Sequence, residues 1–488
     1  MEYEPVIGIE VHAQLLTKSK MFCGCSTDYM GAPPNTHVCP VCLGMPGVLP
    51  VINRRAVEYT IMAGLALNCQ VPEATKWDRK NYHYPDLPKG YQISQYDLPL
   101  TRDGWLEIDL EGVRKRIGIR RVHLEEDTAK LFHEEGYALV DFNRSGVPLL
   151  EIVSEPDLRS IEEVRQYVTK LRIILRYLGV SSGDMEKGAM RFEVNISLRP
   201  RGDEEYGTRV EIKNLNSFRA VLNSLGYEIE RQKEILRSGG KIEQETMGWD
   251  EVRGTTFPQR SKEYAHDYRY FPEPDLPPLE LEREWIESIK ARLPELPDAK
   301  RQRFIKEYGL SEYDAGVLTA EKAVADIFEE YVKAYPSNPT AVAHWMTREV
   351  FSRLKEGQLS AEKVLDTFSP PYIGELLEMQ EGGLITSGSA VQITQRYVVG
   401  EERPPRRIVE EEGLAQISDE ERLGAMVEVV LEDNPKAVAD YLGGKEGALR
   451  YLVGQVMKAT KGKANPALAN KLLKERLEEK GRSVGKEE

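Results

Sequence analysis

The sequence predicts an α+β protein with its parts segregated along the chain: an antiparallel-sheet domain over residues 1–294, followed by two all-α domains at 295–404 and 405–488. Three observations predict it. Short alternating runs between Gly and Pro turns fill the first stretch, and almost everything beyond Pro294 has helical spacing. A polar, Pro-bearing break at 401–407 reads as a linker. At 488 residues, no single core would serve.

Taken in order, residues 6–15 read as a strand with Ile7, Ile9, Val11, Ala13 and Leu15 on one side, which forces Glu10 and His12 onto the other. Next comes a cysteine cluster. Cys23 and Cys25 form C-x-C, and Cys39 and Cys42 form C-P-x-C, two thiolate pairs on turns that fit a structural Zn²⁺. Buried or loosely disulfide-bonded thiols are the alternative; the solitary Cys69 and a total of 5 cysteines speak against a disulfide-built protein. RRVHLE places Arg121, His123 and Glu125 on alternate positions, and Glu151 sits inside the apolar run PLLEIV. A helix is predicted from Ile161 to Leu178, opened by a capping box of Ser160 and Glu163 and closed by Gly179. Phe192, Val194, Ile196 and Leu198 alternate with Arg191, Glu193, Asn195 and Ser197, while Arg209, Glu211 and Lys213 share a strand face. A second helix spans Phe218 to Leu236 and stops at Gly239 and Gly240. Helical spacing returns at 323–334 and 361–368, and the last module ends in a basic stretch, 445–480.

Several strands thus hold a mid-strand carboxylate among Arg and Lys. The solvated face of an antiparallel sheet is the plain alternative. Such faces favour Thr, however, and scarcely any Thr stands here. Carboxylates with a His supply ligands for Mg²⁺, and Arg and Lys neutralise phosphate oxygens, so the residues match an ATP site with metal. No P-loop, kinase set or Rossmann fingerprint occurs, and neither an amidase stretch nor a Cys-His glutaminase arrangement is evident. The start MEYEPVIG lacks a basic n-region and no run approaches eighteen apolar residues, so a cytoplasmic protein without a membrane span is expected. With 80 acidic against 66 basic residues, any nucleic-acid contact needs a local basic surface.

GIEVHAQL (8–15), DRKNYHYPDLPKGYQISQ (78–95), HLEED (123–127), NRSGVPLLEIVSEPD (143–157), VEIKNLNSF (210–218), DYRYFPEPDLPP (267–278) and YLVGQVMKATKGKANP (451–466) together resemble the B subunit of the glutamyl/aspartyl-tRNA amidotransferase, over essentially the whole chain. The resemblance implies a glutamine-synthetase-like catalytic domain carrying a zinc knuckle. It implies ATP-dependent activation of the side-chain carboxylate of Glu or Asp misacylated on tRNA(Gln) or tRNA(Asn), then displacement of phosphate by ammonia. Ammonia would come from a separate amidase (glutaminase), the A subunit, with a small third subunit, the C subunit, making up a heterotrimer; neither a membrane nor DNA is expected as a partner.

By this resemblance His12 and Glu125 match metal-binding positions, with Glu10 and Glu151 as further carboxylates. Arg191, Lys213 and Arg269 are candidates for holding phosphates, with Glu193 and Glu211 on the same face, and Lys80 and Lys89 for lining an ammonia route. Cys23, Cys25, Cys39 and Cys42 fall on zinc positions, and Lys458, Lys461 and Lys463 on a tRNA-contacting module. Two departures stand out. Thr128 and Ala129 replace the usual Ala-Gly of EEDAGK, and Arg191, Phe192 and Glu193 stand where relatives often read R-C-D. A zinc-stabilised tRNA-binding scaffold without chemistry is the competing reading. An archaeal relative with a large inserted domain is a third, and no insertion of that size interrupts the chain.

Overall fold

A computed structural model describes residues 2–261, 268–417 and 419–484; Asp267 of the DYRYFPEPDLPP segment lies outside the described residues. The chain divides into two compact units, Met1–Pro297 and Asp298–Glu488. The first is mixed α and β, and the second is helical.

Eight strands of the first unit, β1 (Tyr3–Gln14), β2 (Thr101–Leu110), β3 (Val113–Glu126), β4 (Pro148–Ser154), β5 (Met190–Pro200), β6 (Val210–Leu215), β7 (Glu245–Asp250) and β8 (Thr255–Ser261), form one sheet in the order β8-β7-β6-β5-β1-β4-β3-β2. The expectation of a wholly antiparallel sheet needs correcting, because β6 and β7 pair parallel. The reason is the helix Phe218–Arg237 between them: a parallel neighbour requires a long crossover, and this helix supplies it.

Alternation decides which face is core. Ile7, Ile9, Val11 and Ala13 are almost fully buried, as are Ile117, Ile152, Val194 and Ile196 on neighbouring strands. They pack in one cluster with the apolar stripes of three helices, α1 (Arg54–Ala66), α2 (Ile161–Tyr177) and α3 (Phe218–Arg237). The hydroxyl of Ser160 caps α2 by accepting from Glu163 N, and Gly179 follows its end at φ 66°. The expected capping box is only half formed. The Glu163 carboxylate accepts from Arg159 N at 2.7 Å and from Lys115 at 2.8 Å, which draws it away from a return bond to Ser160.

A small sheet ordered Phe271–Pro272, Asp78–Asn81, Tyr91–Ser94 lies near the end of β3. A two-point bond from Arg79 to Glu273, both contacts 2.7 Å, pins its central strand, and Ile93 N donates to Glu126 at 3.0 Å.

In the second unit apolar side chains gather in two clusters, one running from Phe304 to Leu414 and the other from Leu423 to Leu477. The polar break at 401–407, expected to be a linker, runs straight into a packed helix. Pro405 opens a helix, Pro405–Glu412, whose Ile408 and Val409 are buried in the first cluster, and Arg403 bonds to Glu401 and Glu411. The sequence misleads there because the charged residues stand on the exposed side of a helix whose apolar side, Ile408 and Val409, is buried. No helix among the described residues is long and apolar enough to cross a membrane.

Candidate functional site

Register across the sheet builds the site. On the face opposite the core, Arg191 of β5 stands beside His12 of β1, His12 beside Glu151 of β4, and Glu151 beside His123 of β3. Four neighbouring strands therefore deliver one row of side chains, with Glu125 two residues beyond His123 on the same side. His12 Nε2 lies 3.5 Å from Glu151 Oε2 and 3.7 Å from Glu125 Oε1, while His123 Nε2 lies 3.2 Å from Glu151 Oε2. Ser94 Oγ donates to Glu125 Oε2 at 3.1 Å. One ligand atom each of His12, Glu125 and Glu151 falls within 4.8 Å of the others, close enough to share a cation.

The field there favours positive charge. Burial alone would lower the pKa of His12, yet the bond to Glu151 and the charges of Glu151, Glu125 and Glu193 raise it to about 9. Lys80 behaves alike: burial opposes its charge, and Glu125, Tyr270, Glu151 and Tyr82 override it to raise the pKa well above the ordinary lysine value. Glu10 is raised by burial and by Glu151 and Glu193, whereas Glu151 is held low against burial, first by His123 and then by His12.

Around this row lies a cavity of about 290 Å³ lined by His12, Lys80, Glu125, Asp127, Arg191, Glu193 and Lys213, with Tyr82 and Tyr268 from the small-sheet side. Lys213 Nζ donates to Glu193 Oε2 at 2.9 Å. The β5 and β6 register shifts between Phe192 and Val194 so that two β6 residues, Lys213 and Asn214, stand against the single Glu193 of β5, a bulge on β6 in which Asn214 takes φ 60°. Glu10 accepts from Asn195 at 2.8 Å, and Glu211 accepts from Thr246 at 3.0 Å, both beside rather than on the cavity wall.

Not every expected residue joins. Arg269 is exposed and its neighbour Tyr268 takes the wall position. Lys89 is on a different cavity, where its ammonium pairs with Glu126 at 2.8 Å beside Tyr91 and Asp275. That split follows from alternation, since consecutive Glu125 and Glu126 must point to opposite sides of one strand. In the tail, Lys458 and Lys461 are exposed and Lys463 is half-buried.

Two residues were not singled out as ligating or binding groups from sequence. His123 stands between Glu151 and Glu125, and its Nδ1 is buried without a hydrogen-bond partner among the described residues. Asp127 accepts from Arg191 at 3.0 Å and from Gln14 at 2.8 Å. Both were signalled by odd-position spacing with Glu125 in HLEED.

The cysteine cluster assembles outside the sheet. Cys23, Cys25, Cys39 and Cys42 form no disulfide and bring their sulfurs within 4.8 Å of each other, while Cys69 is buried apart. A tetrahedron with Zn–S near 2.3 Å needs sulfurs about 3.8 Å apart, so small side-chain rotations close it. The turns do the gathering: Ser19 and Ser26 form a bridge, and Leu43 N donates to Cys39 O at 3.0 Å. Cys42 is driven down to about 4, chiefly by the Cys23 thiol, while burial first raises Cys25 to about 11.

A mixed α and β domain with a buried row of His and carboxylate side chains on one sheet face is the class of protein that the first unit defines. Residues 5–287 match the family described as the GatB/GatE catalytic domain, and residues 326–477 match the GatB domain. The B subunit of the aspartyl/glutamyl-tRNA(Asn/Gln) amidotransferase of Caldicellulosiruptor saccharolyticus is 54% identical over 483 residues, covering 98% of this chain and 100% of that protein. Its counterpart in Moorella thermoacetica is 55% identical over 481 residues, with 98% and 100% covered. That of Roseiflexus sp. is also 55% identical over 481 residues, with 98% and 99% covered. The chain belongs to the GatB family.

Proposed function

We propose that this chain is the kinase and transamidase subunit of a tRNA-dependent amidotransferase, a carbon–nitrogen ligase with glutamine as amido donor. Its sheet face would hold ATP and the misacylated Glu or Asp side chain. That carboxylate attacks the γ-phosphorus, ADP leaves, and ammonia then displaces phosphate from the acyl phosphate to give the amide. The observation that carries the reading is the register-built row of Arg191, His12, Glu151 and His123 with Glu125, a carboxylate and imidazole set inside a cationic rim.

The donor set fits Mg²⁺. Glu125 and Glu151 give hard oxygens, and His12 stands in a field that already draws positive charge to it. Held by these residues, Mg²⁺ would offset phosphate charge during transfer. Arg191 and Lys213, tied to Asp127 and Glu193, would hold phosphate oxygens in fixed positions. Lys80 on the site cavity and Lys89 on the neighbouring one would line the ammonia route. Four thiols at suitable spacing support a structural Zn²⁺ in the knuckle.

A glutamine-synthetase-like organisation of the catalytic domain, a cytoplasmic location and a three-domain division, its second boundary lying between the cluster that ends at Leu414 and the one that begins at Leu423, complete the reading. Partners would be a separate amidase, a small third subunit that makes up the heterotrimer, and the misacylated tRNA. The scaffold alternative gives no role to the buried carboxylates on the sheet face. With misacylated tRNA, ATP and an ammonium salt, the purified chain should form amide slowly. It should not hydrolyse glutamine until the amidase is added. Strong glutaminase activity from the isolated chain would contradict an imported ammonia source.

A further inference from the structure

Lys20 is 1% exposed, among the most deeply buried large side chains of the protein, and no carboxylate among the described residues pairs with it. Its ammonium instead lies 3.6 Å from Cys42 Sγ and 3.3 Å from the carbonyl of Phe142. That contact places a buried N–H donor directly on the sulfur of one of the four clustered cysteines. Cys42 Sγ also accepts from Cys39 N at 3.1 Å. The fourth sulfur of the cluster thus faces two N–H donors, Lys20 Nζ and Cys39 N, and lies 3.5 Å from the carbonyl oxygen of Cys39.

We propose that Lys20 is an outer-sphere positioning residue of the zinc knuckle, donating an N–H···S bond to the Cys42 thiolate and cancelling part of the surplus negative charge of a four-thiolate Zn²⁺ centre. The inference rests on the reading of the knuckle as a zinc site. Four thiolates around one Zn²⁺ leave a net negative charge, and a low-dielectric setting makes one adjacent cation valuable. The geometry gives the bond a second consequence. Lys20 ties the knuckle to the 142–147 turn: Met21 N donates to Gly146 O at 2.7 Å, Ser145 Oγ to Cys42 O at 3.3 Å, and Gly146 N to Asp127 O at 2.9 Å. Asp127 N returns a bond to Val147 O at 2.8 Å, immediately ahead of β4 and its Glu151. Zinc held with Lys20 thus braces the turn that enters one of the site strands.

The test uses the full-length chain and three readouts: zinc content, zinc release to a chromophoric chelator, and the thiolate-to-metal band of the cobalt-substituted protein. Wild type should hold about one zinc per chain. Lys20→Met should release it roughly tenfold faster or more, the range expected when an outer-sphere partner is lost. Its cobalt band should move to lower energy as the thiolate loses its donor, and Lys20→Arg should restore most of both. If Lys20→Met does not accumulate as folded protein, Lys20→Gln, which keeps a donor without the charge, should show the same changes in smaller measure. Wild-type release and an unmoved band in the folded variant would overturn the role of Lys20 while leaving the zinc site standing. A wild-type chain free of zinc would overturn the zinc reading itself.

Discussion

Burial alone would push the Asp127 carboxyl up, but the charges of Arg191 and Arg144, with bonds from Gln14 and Arg191, hold it at about 2. Its folded pKa thus lies below the ordinary value of 3.8, so its contribution to stability is present above pH 3.8 and is lost as pH falls toward 2. A shift of that size is worth about 2 kcal/mol. Asp127→Asn should therefore cost roughly 2–4 kcal/mol at neutral pH, since it also leaves two guanidinium groups short of a partner. The gap between variant and wild type should narrow from about pH 4 down to about pH 2, as read by urea unfolding across that range; a pH-independent gap would contradict this. Single residues were legible where alternation is strict. His12, Glu125 and Glu151 could be placed because each interrupts an apolar strand, whereas Asp127 stands just past the end of β3 and gains its meaning only from Arg191 and Arg144, distant in sequence.

Elements follow from their patterns until a distant segment intervenes. The stripe of α2 and its stop at Gly179 were readable because both are local, while the return bond of its cap was lost to Arg159 and Lys115. Parallel pairing of β6 and β7 was not readable from either strand, since strands paired in both senses can have the same alternation; only the intervening α3 distinguishes them. A comparable tertiary constraint falls on Gly104 in β2, where an added methyl group would stand 2.5 Å from the Leu67 carbonyl oxygen and 2.4 Å from Cys69 Sγ. The backbone on that side cannot give way cheaply. Gly104→Ala should destabilise the first unit by about 1–3 kcal/mol in thermal or urea unfolding. A variant as stable as wild type would show that β2 and the segment after α1 are less tightly apposed.

At the scale of the molecule, the segregation of sheet and helix was visible in texture alone, but the break at 401–407 was misleading because its charges lie on the exposed side of a helix that packs through Ile408 and Val409. A cut at 405 would consequently remove Ile408 and Val409 from a packed cluster, so the tail is better tested by substitution. Replacing Lys458, Lys461 and Lys463 with Gln should weaken tRNA binding and lower the slope of log affinity against log salt by about 2–3, if each lysine neutralises one phosphate. An unchanged slope would move the tRNA footprint elsewhere in the second unit. Whether the sheet face is the kinase and transamidase centre is decided by Glu125→Gln in the assembled enzyme. The substitution keeps shape and removes the anionic oxygen, at a cost of about 3 kcal/mol of transition-state stabilisation, or roughly a hundredfold in rate. ATP hydrolysis and amide formation should fall together while the partner's basal glutamine hydrolysis and tRNA binding persist; amidation at the wild-type rate would contradict the account.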